Sequence, residues 1–100
     1  MATYAELSAI QDDPQYGVLL QKIRVACVIK AAAIIGSATP PATALDWAKV
    51  AVARPNQAGE GLIYYVIAEN SAATVGQIYG ASDSSIQANI NSAVDKIYGA

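Results

Sequence analysis

Val25-Ala26-Cys27-Val28-Ile29-Lys30-Ala31-Ala32-Ala33-Ile34-Ile35 is the stretch on which the fold turns. It is the longest apolar run in the chain. It covers about half of the ~20 residues that a membrane span requires, and Lys30 interrupts it. Two soluble readings remain, a buried strand and a buried helix. Density of β-branched residues over 25–29 supports the strand. The alanines around that segment and the length of the pattern favour the helix. Working outward, Asp13-Pro14 supplies an N-cap and a first-turn proline, and Gly36 supplies the stop. Between them Val18, Leu19, Lys22, Ile23, Val25, Ala26, Ile29, Ala33 and Ile34 form an apolar stripe that widens toward the C-terminal end. A stripe of that width predicts a central helix with neighbours on several sides.

The flanking segments read as shorter helices. At the N-terminus Thr3 and Glu6 have capping-box spacing, and Tyr4, Leu7 and Ile10 share a face before Gln11-Asp12-Asp13 stops the helix. Residues 37–41 hold two consecutive prolines, which cannot continue a helix. Thr39 or Thr43 then caps a helix containing Leu45, Trp47, Ala48, Val50, Ala51 and Val52, which Arg54-Pro55 ends. Asn56 caps the next, with Leu62, Ile63, Tyr65, Val66 and Ile67. Gly59 and Gly61 weaken its first turn. Residues 62–67 have strand propensity as well, but no second segment of similar quality offers itself as a pairing partner. Asn70 or Ser71 opens a segment through Val75, Ile78 and Tyr79 to Gly80. Ser82 or Asp83 caps a last helix carrying Ile86, Ile90, Ala93, Val94 and Ile97. The expected fold is all-α: a compact bundle of about five or six short helices around one long central helix. A chain of 100 residues makes this a single domain over 1–100.

Composition narrows the function classes. Hydrophobic residues make up 54% of the chain and charged residues 14%, with a formal net charge of -2. An average domain is roughly 25% charged, so this surface is unusually neutral. Six Lys and Arg without a basic run speak against a dedicated nucleic-acid binder, whose affinity rests on neutralised phosphates. Much of the apolar content is alanine, which buries little area per residue, and a small domain buries a modest fraction of its surface. Both features leave room for stability drawn from a neighbouring subunit. The N-terminal residues have no basic region followed by an apolar core, so no signal peptide is expected and synthesis in the cytoplasm is.

Chemistry has little to work with. The chain has no histidine and one cysteine, Cys27. The commonest acid–base side chain near neutral pH is therefore missing, and no disulfide within the chain or zinc-ligand spacing exists. Cys27 falls on an apolar helix, the setting of a structural thiol and not of a nucleophile. Asp12 and Asp13 sit where capping explains them. The glycines do not follow strands in a phosphate-loop pattern. No catalytic residue, metal ligand, cofactor or small-molecule substrate is expected. Lys30 either extends from its apolar helix to solvent or a nearby carboxylate, or marks a face docked on another subunit. Residues 74–86 have the layout of a helix, a glycine turn and a Ser-capped helix, as in helix-turn-helix proteins. In that reading Ser84, Gln87 and Asn89 would face nucleic acid, although Asp83 opposes it and no cation precedes Lys96 on that helix. Aromatic content is mostly tyrosine, which suits half-buried interface positions. Tyr64, Tyr65, Tyr98, Trp47 and Lys30 are the candidate protein-contact residues.

Five features in order, Thr3-Tyr4-Ala5-Glu6-Leu7, Asp13-Pro14, Thr39-Pro40, the alanine-rich 45–55 and the closing 83–94, resemble the layout of short bacteriophage proteins encoded among head and tail genes. The resemblance spans most of the chain. It departs in the third helix, which is often more basic in such proteins and here has only Lys49 and Arg54. The resemblance implies a virion-associated or assembly role: a head-tail connector, neck, capsid-associated or tail-completion component. Its partners would be copies of itself or other phage structural proteins, and its location the virion after synthesis in the host cytoplasm. A small helix-turn-helix DNA-binding or regulatory protein and a helical adaptor or inhibitor of a host protein are the alternatives.

Overall fold

The run at 25–35 forms the C-terminal half of the longest helix in the computed structural model, which describes residues 14–69 and 75–99. The elements are α1 (Pro14–Ile35), α2 (Ala42–Ala53), α3 (Pro55–Glu69), α4 (Val75–Tyr79) and α5 (Asp83–Tyr98). No strand occurs among the described residues, so both segments with strand propensity are helical. The helix expected over residues 3–10, with Asp13 as the cap of α1, lies outside the described residues.

α1 is central in the literal sense: each of the other four helices packs on it. Its buried positions are Leu19, Ile23, Ala26, Cys27, Ala31 and Ile34, a single face at helical spacing. The expected stripe was broader than this. Val18, Val25 and Ile29 are 55%, 48% and 54% exposed, and Ala33 is exposed too. Four helices cover the inner side of α1 and leave those three residues in a line on its outer side. Gly36 N–H makes the last regular bond of the helix, to Ala32 O at 3.0 Å, and Ser37 N–H then closes a tighter turn on Ile34 O at 3.1 Å, with no positive φ at the glycine.

The other helices divide their residues differently. α5 buries Ile86, Ile90, Ala93 and Val94. α3 buries Ala58, Leu62, Ile63, Val66 and Ile67. α2 buries only Ala44, Ala48 and Ala51, whereas Val50 and Val52 are 46% and 49% exposed. Each fully buried Leu or Ile contributes about 1.5–3 kcal/mol relative to exposure. Most of the apolar driving force therefore comes from α1, α3 and α5, and α2 contributes closeness of approach.

α1 and α3 also approach closely. Gly59 is buried, and a Cβ there would stand 2.7 Å from Arg24 Cγ and 3.5 Å from Arg24 Cα. Gly59 therefore lets the helices meet at the cost of helix propensity. Two expected caps are corrected. The residue before α2 is Pro41, which has no side-chain cap bond. Thr39 stands in the preceding turn and Thr43 inside the first turn. α3 begins at Pro55, one residue before Asn56. The Asn56 side chain instead accepts a hydrogen bond from Arg24 Nη1 at 2.8 Å, tying α3 to α1. Ser82 caps α5 as expected, its Oγ accepting from Ser85 N at 3.2 Å. Asp83 in the first turn and Lys96 in the last suit the helix dipole.

Candidate docking groove

α2 turns its alanines inward, and two of its larger side chains, Trp47 and Val50, line a depression shared with α3 and α5. This groove has a volume of ≈ 610 Å³, and its apolar wall is made by Trp47, Val50, Leu62, Tyr65, Ile97 and Tyr98. Trp47 and Tyr98 stack at one side, with ring centroids 5.9 Å apart and planes 22° from parallel. That stack is specific to the helix arrangement, since it joins the middle of α2 to the last residue of α5. Tyr65 is 40% exposed on the opposing helix, with Val50 and Ile97 at 46% and 37%. Thr43, Asp46 and Gln57 are the polar members of the wall. A concave surface with aromatic residues and a few polar groups at its edge is what a side chain or helix turn from another protein can enter.

Three of the five candidate contact residues, Trp47, Tyr65 and Tyr98, thus meet in one place. Tyr64 does not line the groove but stands beside it, 56% exposed, with its ring edge-on to Tyr65 at a centroid distance of 5.9 Å. Lys30 lies elsewhere. Its Nζ is 3.0 Å from Asp95 Oδ1, and its side chain is 17% exposed against 67% for the aspartate. The lysine therefore extends along the bundle to a carboxylate on α5, the first of the two roles open to it. Val50 and Ile97 are members of the groove that residue type alone did not mark, because both read as core positions in their helices. The signal for Val50 lay in the alanines: positions 44, 48 and 51 form a complete face without it.

The helix-turn-helix reading meets a geometric obstacle. α4, the Gly80 turn and α5 do form two helices joined by a tight connection. Gln87, however, is half-buried and commits both of its amide hydrogens, one to Ala26 O on α1 at 3.1 Å and one to Asn91 Oδ1 at 2.9 Å. A glutamine reading adenine needs its amide free at both ends. Asn89 Nδ2 is buried. Ser84 Oγ is exposed and 3.1 Å from Ser82 Oγ at the cap. The structure thus turns the Gln87 and Asn89 amide nitrogens inward, and of the three residues Ser84 alone is fully exposed.

Cys27 has no solvent exposure. Burial raises its thiol pKa from 9.0 to about 12, so it is protonated at neutral pH and a poor nucleophile. Among the described residues no group of three or more His, Cys, Asp or Glu is placed to hold a metal ion, and no helix is long and apolar enough to cross a membrane. No protein-family model, curated protein or solved structure matches the chain.

Proposed function

We propose that this protein is a bacteriophage structural or assembly component that works by docking on other protein, without catalysis. The observation that carries the docking part is the groove of Trp47, Val50, Tyr65, Ile97 and Tyr98. Val50, Tyr65 and Ile97 stand exposed there beside the partly buried Trp47 and Tyr98, while α2 turns alanines to the interior. Burying them against a partner would gain roughly 25 cal/mol per Å² of apolar area, with Trp and Tyr being residue types that dominate binding energy where they are buried at interfaces. The virion part rests on the layout of short phage head and tail proteins that the chain resembles. Low charge is in keeping with both, because a neutral interface keeps its strength across ionic conditions.

The test is composition of the particle. Peptides of this chain should be present in purified virions of the phage that encodes it, at a fixed ratio to the other structural proteins. Val50→Glu, at an exposed position, should keep the helical circular-dichroism signal and abolish incorporation. Particles that contain none of the chain would sink the virion reading. Normal incorporation of the folded Val50→Glu protein would sink the groove.

A further inference from the structure

The outer face of α1 is the second apolar surface of the molecule. Val25 and Ile29, with Gln21 one turn before them, form a ridge bordered by a depression on each side, and Val18 continues the exposed line toward the start of α1. One, of ≈ 320 Å³, is bounded by Arg24 on α1 and by Pro55 and Asn56 on α3. The other, of ≈ 210 Å³, is bounded by Lys22 on α1 and by Asp83 and Gln87 on α5. A ridge flanked on both sides has the shape that enters a groove.

Charge says which groove. α1 carries Lys22, Arg24 and Lys30 and no carboxylate. Lys30 is neutralised by Asp95. The other two are held by uncharged oxygens: Lys22 Nζ donates to Ala81 O at 3.2 Å, and Arg24 donates to Asn56 Oδ1 and to Gln21 Oε1. Those bonds fix both heads beside the ridge. Lys22 shares its depression with Asp83, whereas the depression beside Arg24 has no carboxylate among the described residues. The groove described above has the opposite deficit. Among the described residues its one ionisable wall residue apart from the tyrosines is Asp46, which is exposed and has no ion pair there.

We infer that the ridge of one copy of this chain seats in the Trp47–Tyr98 groove of a second copy, with Arg24 facing Asp46. The inference rests on the docking reading above and names its partner. Ridge and groove share no residue. The contact is therefore heterologous: each copy that uses its groove still presents a free ridge, and association continues until a ring closes or a filament grows.

Light scattering on the purified full chain, over a range of concentrations, tests it. The wild type should exceed the 10.3 kDa of one chain, with mass rising with concentration. Val25→Glu on the ridge and Val50→Glu in the groove should each remain helical and monomeric. Mixed together they should form a 1:1 complex of twice the monomer mass that grows no further, because one supplies an intact groove and the other an intact ridge. Asp46→Lys, which places like charge opposite Arg24, should weaken self-association about tenfold. A wild type that stays monomeric at every concentration overturns the inference, as does a Val50→Glu protein that still dimerises through its ridge or a mixture that fails to pair. Incorporation of the chain into particles in the face of such a result would leave the docking reading standing with a different partner.

Discussion

α2 and α5 sit on the same central helix and solve the same packing problem in opposite ways. α5 puts Ile86, Ile90 and Val94 inside. α2 puts Ala44, Ala48 and Ala51 inside and leaves Val50 and Val52 about half exposed. Both helices are apolar on their inner face, so the difference lies in size. Large inward residues stabilise through transfer from water and dispersion contacts. Small ones permit close approach and release the large residues of the same helix to the outer surface. A helix of the α2 kind is a poor source of folding energy and a good source of contact surface. The groove forms where the outward side of α2 meets the C-terminal end of α5.

The contrast can be broken from either side. Ile90 has no solvent exposure, and Ile90→Ala should cost about 2–5 kcal/mol, the range for truncating a buried aliphatic side chain. That is a large part of the stability of a domain of this size, and chemical denaturation read by circular dichroism would measure it. A cost below 1 kcal/mol would mean that α5 is not the anchor described here. On α2 the damaging direction is reversed. Ala48→Leu, also at a position with no exposure, should cost about 1–3 kcal/mol because the added methylenes have nowhere to go. An unchanged or raised denaturation midpoint would show that α2 is not closely packed and that its alanines reflect only helix propensity.

Those substitutions also mark what the amino-acid pattern revealed. Helix order, the central role of α1, its end at Gly36 and the Ser82 cap are all readable from local chemistry, since caps, prolines and apolar spacing act over a few residues. Which of two apolar faces turns inward is not local. Val18, Val25 and Ile29 read as core because their helix is apolar nearly all round, and only the placement of four neighbours shows that they lie outside. Trp47, Tyr65 and Tyr98 could be singled out by residue type, but their meeting depends on α2, α3 and α5 converging. Gln87 looked like a polar surface residue. Its bond to Ala26 O spans 61 positions, and nothing near it in sequence announces that partner.

The smallest expected effect concerns how the two helices begin. α5 has a side-chain cap, Ser82 Oγ accepting from Ser85 N. Removing it by Ser82→Ala should cost about 1 kcal/mol, since one first-turn N–H loses its acceptor. α2 starts after Pro41 with no side-chain cap bond, so Thr43→Ala should stay within about 0.5 kcal/mol of the parent. The pair of variants asks whether the helix with the large inward residues is also the one held by its terminus. If Thr43→Ala destabilises as much as Ser82→Ala, the Thr43 hydroxyl has a structural role at the start of α2, and its place in the groove wall is secondary. If only Ser82→Ala registers, the first turn of α2 depends on Pro41 for its backbone direction and on packing for its stability. The threonine is then available to whatever enters the groove.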